Sequence, residues 1–378
     1  MNIGIDLRPL LEQNRTGVGE YTYELLQSLF KRDTLNQYFL FFNSYKEVEI
    51  PDWNKENVHI VRTRVPNKIF HVLQLFHLLP IDYFLEKIAK RKRMLKPEET
   101  ISVFFSPNLH FTSVRSATKH ILMLHDLSFL LHPQWFSFRR RLWHILVNPK
   151  KQAKKANAVI TPSYNTKRDV CREYGIGAEK VHVLYPALSE ALVQRKEQMT
   201  GEYLQKITKK YNLSEKYILF LGTLEPRKNI CFAVEAFKLS RLAFEGYQLI
   251  LAGTLGWKTK KILKSFVNAP GVRYIGYVDA DEKPALYSLA QLFVYPSFYE
   301  GFGFPPLEAK YFHIKCLVSN NSSFFEVMGD SGRFISPYNV TELAEAMKNE
   351  VGKKEEKNTN NFSWEKTSDE FVSLINTL

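Results

Sequence analysis

Cysteine is scarce in this chain. Cys171, Cys231 and Cys316 lie far apart, in no metal-ligand spacing. An odd, scattered set offers no cysteine-based metal site and reads as buried thiols without redox chemistry. Long apolar runs are also missing. The nearest is NKIFHVLQLFHLLPIDYFLEKIAKRKRMLK, residues 67–96, which is interrupted by His, Gln, Asp and Pro80 and closes on a basic cluster over 87–96. It is too broken to cross a bilayer. It reads either as an amphipathic helix pair packed on its domain or as an element lying on a membrane surface. The opening MNIGIDLRPL has no charged n-region followed by an apolar h-region. No secretory signal is expected, and the protein should stay in the cytosol. Acidic residues are in deficit, 39 against 52 basic, for a net charge of +13. That balance favours an anionic partner: nucleic acid, an anionic membrane surface or a phosphorylated small molecule. No helix-turn-helix, zinc-finger spacing or RNA-recognition sequence occurs, so no nucleic-acid partner is expected.

What the chain does have is length for two domains, with 45% hydrophobic composition to fill their cores. Short apolar runs alternate with helical patterns throughout. NIGID (2–6), YFLFFN (38–43), VHIVR (58–62), ISVFFS (101–106), HILML (120–124), AVITP (158–162) and VHVLYP (181–186) read as buried strands. A second series follows: YILFLG (217–222), YQLILAG (247–253), VRYIGYV (272–278), LFVYPS (292–297), KCLVSN (315–320) and GRFISP (332–337). The pattern predicts an α/β chain with two tandem, doubly wound, mostly parallel sheets. The charged segment over 188–213 marks the boundary. Domains are expected at 1–187 and 188–361, with a terminal helix over 362–378 that docks elsewhere, on the first domain.

In doubly wound sheets ligands bind beyond the carboxyl ends of the strands, where helix N-termini offer free N–H groups. After strand 217–222 comes TLEPRKNI, with Arg227 and Lys228 just before a helix expected to start at Asn229. Two cations there suit a diphosphate, although basic residues alone equally fit a solvated loop. After strand 292–297 comes FYEGFGFPPLEAKYF. Gly301 and Gly303 flank Phe302 in a tight turn, Pro305 or Pro306 suits a first helical position, and Glu300 and Glu308 stand eight residues apart. Such a pair can accept hydrogen bonds from the vicinal hydroxyls of a ribose and a sugar, or be a charged loop and a helix-start glutamate. In the first domain NRTGVGEY brings Gly17 and Gly19 to a helix start, without the third glycine of a dinucleotide fingerprint. His125 follows a strand directly, a position that points into a cleft or serves structure. Asp279 with Glu282 reads as a capping box rather than as half of a metal site, and no metal is assigned.

EGFGFPPLE, residues 300–308, resembles the E-x7-E signature of the retaining glycosyltransferases of family 4. The likeness extends through GIDLRPL…TGVGEYT, HDLSFLLHP, ITPSYNTKRDV, LGTLEPRKNI, LILAG, the segment YVDADEKPALYSLAQLFVYPS leading into the signature, SNNSSFFEVMGDSG and FSWEKT. It implies the GT-B arrangement, two Rossmann-like doubly wound domains facing across a cleft. It further implies a retaining, metal-independent hexosyltransferase of cell-surface polysaccharide synthesis. The expected donor is a nucleotide diphosphate sugar, GDP-mannose favoured, with no cofactor, and the acceptor is lipid-linked or a polysaccharide. Such an enzyme is cytoplasmic and peripheral on the inner face of the cytoplasmic membrane. By resemblance Arg227 and Lys228 hold the diphosphate, Glu308 the ribose and Glu300 a hydroxyl of the donor sugar. Gly17 and Gly19 face the diphosphate and acceptor, and His125 contacts the transferred sugar. The chain departs from the family after Glu308, where His313 and Lys315 replace the glycine and proline of a G-x-P turn. Two other readings are a non-catalytic scaffold of a glycan-assembly complex and a GT-B nucleotide-sugar epimerase.

Overall fold

The computed structural model describes residues 1–11, 17–355 and 361–378. They form two compact units. The first comprises Met1–Leu127, Arg139–Ala187 and Phe362–Leu378, the second Ser128–Phe138 and Leu188–Asn361.

The first unit is built on seven parallel strands in the order β3-β2-β1-β4-β5-β6-β7. They are β1 (Asn2–Asp6), β2 (Gln37–Asn43), β3 (Val58–Thr63), β4 (Val103–Ser106), β5 (Lys119–Met123), β6 (Ala158–Thr161) and β7 (Val181–Val183). Parallel strands are covered on both faces, so they read as unbroken apolar runs rather than alternating ones. Helix α1 (Gly17–Arg32) follows β1. The 67–96 segment folds as α2 (Asn67–Leu75) and α3 (Ile81–Arg91). Phe70, Ile81, Leu85 and Ala89 of this pair enter a core with Phe39, Phe41 and Phe104. Its other face leaves Ile69, Val72, Phe76 and Leu78 exposed, so the segment is both core and apolar surface. No described helix is long and apolar enough to cross a membrane. Helices α4 (Phe138–Val147) and α5 (Pro149–Lys155) precede β6. The C-terminal helix Trp364–Thr377 lies on α1: Ser28 and Ser368 share a hydrogen bond, Arg32 pairs with Asp369, and the Phe371 ring packs 4.8 Å from that of Phe105.

The second unit has six parallel strands in the order β10-β9-β8-β11-β12-β13: β8 (Tyr217–Leu221), β9 (Gln248–Ala252), β10 (Val272–Gly276), β11 (Leu292–Tyr295), β12 (Cys316–Ser319) and β13 (Arg333–Ile335). The strand order reverses between β8 and β11, the switch point where such sheets bind ligands. At this edge the backbones leaving β8 and β9 nearly touch. A Cβ on Gly253 would stand 2.1 Å from the Gly222 carbonyl oxygen, and Gly253 has φ +132°.

Several expectations are corrected. Residues 1–187 are not one domain, because Ser128–Phe138 belongs to the second unit. The reason is aromatic packing. The Trp135 ring stacks on His132 at 4.0 Å and on Phe298 at 5.8 Å, Phe136 stacks on Trp257, and Trp257 Nε1 donates to the Trp135 carbonyl at 2.7 Å. Glu282 does more than close a capping box: its carboxylate accepts from the Asp279 N–H, as that reading expects, but Asp279 makes no matching side-chain cap among the described residues. The same carboxylate also accepts from Lys210 at 2.6 Å and from the Tyr211 hydroxyl at 2.6 Å. Of the three cysteines only Cys316 is fully buried.

Candidate active site

The loops leaving β8 and β11 meet. Arg227 and Lys228 lie in a single 3-10 turn, Pro226–Lys228, which Asn229 closes at φ +57° before helix α6 (Ile230–Ser240) begins. The helix therefore starts one residue later than expected, because Asn229 takes the left-handed conformation that asparagine tolerates. The Phe298 N–H donates to the Arg227 carbonyl at 2.9 Å, joining the two loops. Arg227 Nη1 donates to Glu300 Oε2 at 2.6 Å and to the Tyr299 carbonyl at 2.9 Å, while its Nε donates to Glu225 Oε1 at 3.0 Å. Lys228 Nζ donates to Glu300 Oε1 at 2.5 Å and to the Tyr295 hydroxyl.

Glu225, Lys228 and Glu300 are all buried. Burial alone would raise the Glu300 carboxyl, but the charges and hydrogen bonds of Arg227 and Lys228 override it and hold the group below its usual range. Burial and the neighbouring Arg227 push the Lys228 ammonium down. Two cations thus face two carboxylates at the switch point. An incoming diphosphate can take over the cations, and the carboxylate it displaces becomes an acceptor for hydroxyl groups.

Helix α7 (Phe304–Tyr311) starts after Gly303, whose φ is +110°. Phe304 is its first residue, with Pro305 second, so neither proline opens it. The Gly301, Phe302 and Gly303 backbone carries the chain from Glu300 to this helix, and Ser323 Oγ donates to the Glu300 carbonyl at 3.2 Å and to that of Phe302 at 2.5 Å. Glu308 sits one turn into α7, half-buried, and accepts from the Tyr287 hydroxyl at 2.7 Å. Phe312, directly before the altered turn, stacks on the Tyr287 ring with centroids 5.5 Å apart and so backs this contact. His313 makes the turn at φ +57°, and Lys315 pairs with Glu355 at 3.0 Å.

Gly17, Gly19 and His125 belong to the first unit. Gly17 is the first residue of α1 and Gly19 the third; residues 14–16 of the same loop lie outside the described residues. The His125 ring meets that of Tyr21, on α1, edge-on at 5.3 Å. Its Nε2 lies 2.8 Å from the Pro107 carbonyl, which can only accept, so Nε2 carries the proton and Nδ1 the lone pair. Burial pushes this imidazole down to about 4, making it neutral at pH 7. Among the described residues no group of three or more His, Cys, Asp or Glu is placed to hold a metal ion.

Sequence reasoning missed Glu225, Tyr295 and the serines that clamp the loop, including Ser322, whose Oγ accepts from the Glu300 N–H at 2.8 Å. The signals were a carboxylate two residues before Arg227 and the small polar run SNNSS directly after a strand.

Two family models match, Glycosyltransferase Family 4 over residues 15–191 and Glycosyl transferases group 1 over residues 205–362. A curated relative, O-antigen chain mannosyltransferase B of Escherichia coli, is 28% identical over 334 residues, covering 87% of this chain and 85% of its own. Among solved structures, sucrose-phosphate synthase of Thermosynechococcus elongatus superposes with a TM-score of 0.69 at 15% identity, covering 100% of this chain and 98% of that one. Anabaena Alr3699/HepE, solved with UDP-glucose, gives 0.68 at 16% identity with both chains fully covered.

Proposed function

Because the chain belongs to the group 1, family 4 glycosyltransferases and has their GT-B fold, we propose that it moves a hexose from a nucleotide diphosphate sugar to a lipid-linked or polysaccharide acceptor in cell-surface glycan synthesis. Mannose from GDP-mannose is the favoured donor group, supported by the mannosyltransferase relative that covers most of both chains. The observation that carries the reading is the Arg227–Glu300–Lys228 cluster at the switch point of the second sheet.

Breaking the bond between the sugar and the diphosphate leaves negative charge on the departing group. Arg227 and Lys228, fixed before the transfer, stabilise that charge without reorganising. This supports metal-independent transfer. Glu300 turns from the cations toward a hydroxyl of the donor sugar as the diphosphate replaces it, and Glu308 accepts from the ribose. Once displaced, Glu300 accepts from the sugar hydroxyl, and it is not assigned as the nucleophile. The acceptor oxygen attacks C1 on the face the diphosphate leaves. The C1–O bond to phosphate breaks as the new one forms, the acceptor's proton passes to the leaving phosphate, and configuration is retained. Neutral His125 offers its Nδ1 lone pair to the transferred sugar. The enzyme works in the cytoplasm, peripheral on the inner face of the membrane that carries its acceptor.

Calorimetry with GDP, UDP and ADP and their hexose conjugates, without metal and then with magnesium, tests this reading. Micromolar GDP-mannose binding without magnesium, followed by an α-linked product from the α-linked donor, is expected. Binding of no nucleotide overturns it.

A further inference from the structure

The first unit contains a cavity of about 590 Å³ between the end of α2, the end of α4, helix α5 and the loop leading into β5. It reaches Thr118 and Asn157, which immediately precede β5 and β6. His125 follows β5, at the opposite edge of the sheet, so this cavity is separate from the candidate site.

Its lining contains no acidic residue but includes Arg115, Lys151, Lys155 and His77. Arg115 is neutralised by Asp82 and Glu86, each at 2.6 Å. Lys151 and Lys155 have no ion-pair partner among the described residues. Their charges reach the cavity mouth: after burial, they are what holds the His77 imidazole below its ordinary range. Gln152 adds a second demand. Its Nε2 donates to the His110 and Val147 carbonyls, at 2.9 and 2.8 Å, which fixes the amide orientation. Its Oε1 is then a buried acceptor without a donor among the described residues. The unpaired lysines call for negative charge and the Gln152 acceptor for a donor such as a hydroxyl.

The surroundings decide where that occupant comes from. Phe76 and Leu78 beyond α2 are 65% and 67% exposed, and Ile145 and Leu146 near the end of α4 are 71% and 46% exposed. Phe111 joins the two sides, its ring 5.4 Å from that of His71 on α2 and 6.2 Å from that of Trp143 on α4. Apolar side chains around a cationic, hydroxyl-accepting cavity match the headgroup of a lipid whose acyl chains stay in the bilayer. We propose that this cavity seats the phosphate and hydroxyl of an anionic, hydroxylated membrane phospholipid, anchoring the first unit on the bilayer. The proposal rests on the membrane placement above but not on the transfer chemistry.

Co-sedimentation with phosphatidylcholine vesicles, with and without phosphatidylglycerol, tests it on the full chain. The native protein should bind only the phosphatidylglycerol vesicles. The double variant Lys151→Gln/Lys155→Gln should bind them roughly thirty-fold more weakly, each lysine counting for about 1 kcal/mol near an anionic surface. Phe76→Ser/Ile145→Ser, changed at exposed positions, should also weaken binding. Lys92→Gln/Arg93→Gln, basic but outside the cavity, should leave it nearly unchanged. Equal binding to both vesicles, or equal losses in the two charge variants, would overturn the proposal by showing no site or only diffuse attraction. Saturable binding of glycerol phosphate or inorganic phosphate without vesicle binding would overturn it in favour of a soluble phosphoester. GDP binding measured on the same variants separates the two readings: its absence throughout removes the transferase reading and leaves the vesicle result standing.

Discussion

The two sheets are wound alike, each reversing its order beside its first strand, yet the loops leaving those first strands handle charge differently. After β1 a single cation meets a single carboxylate. Arg8 grips Asp6 at 2.5 Å and its remaining donors go to Thr112 and the Phe111 carbonyl. After β8 two cations share two carboxylates that come from different loops. The first arrangement is closed and structural, whereas the second has partners a diphosphate can displace. Elsewhere the first unit holds four histidines in neutral form: His110, His120, His125 and His144 are each pushed down to about 4, chiefly by burial. One winding thus supports a pH-sensitive interior in one unit and a permanently charged site in the other.

The largest way to break this contrast is Glu300→Gln. It leaves Lys228 and Arg227 partly uncompensated in a buried site, so transfer should fall about a hundred-fold or more and stability by about 3 kcal/mol. Steady-state kinetics with denaturant unfolding checks both. Activity equal to the native enzyme would remove Glu300 from the site. Next comes Lys228→Met, which should weaken nucleotide diphosphate binding by about tenfold to a hundred-fold in calorimetry while sparing the bare nucleoside. Arg8→Met, the matching change in the first unit, should cost stability without a specific loss of diphosphate affinity.

Acid should separate the units. A histidine with a folded pKa near 4 and an ordinary value of 6.5 binds its proton more readily when unfolded. Its contribution is therefore intact above 6.5 and lost as pH falls toward 4, by up to about 1.4 kcal/mol per pH unit for each proton. Glu300, whose pKa is lowered in the fold, weakens the second unit only below its ordinary 4.5. Between pH 6.5 and 4.5 hydrogen exchange, corrected for its intrinsic pH dependence, should speed up in first-unit peptides before second-unit ones. The reverse order would contradict the burial of the four imidazoles. The smallest effect is expected at the altered turn. His313→Gly removes the strain of φ +57° and should raise stability by about 0.5–1 kcal/mol, read as a small increase in thermal midpoint.

Much of this was legible in the chain. Among the described residues all thirteen strands stand where an apolar run was read, because strands covered on both faces leave little room for polar residues. Arg227, Lys228 and Glu300 could be placed near one another from the rule that ligands sit beyond strand ends at the switch point. Their mutual pairing could not, since it depends on how two loops distant in sequence close on each other. Tyr295 was invisible for the same reason, whereas Glu225, two residues before Arg227, left a local signal that went unread. Asp279 and Glu282 were legible only in part: the Glu282 carboxylate does reach back to the Asp279 N–H, but Lys210 and Tyr211, brought in from a distant helix, also claim it. His313 shows the opposite case: it stands where the family has glycine and takes a positive φ of +57°, which glycine adopts freely.

The Ser128–Phe138 excursion has a consequence for anyone recombining such enzymes. The chain passes between the two units at 127/128, 138/139, 187/188 and 361/362, so neither unit is one continuous stretch of coding sequence. A chimera joined only near residue 187 would give the recipient's second half a foreign Trp135 beneath its Phe298 and leave the first half with a foreign terminal helix against Phe105. Exchanging donor specificity between relatives therefore calls for a transplant in two separate pieces, with the residues around Trp135 travelling alongside the loop that holds Glu300.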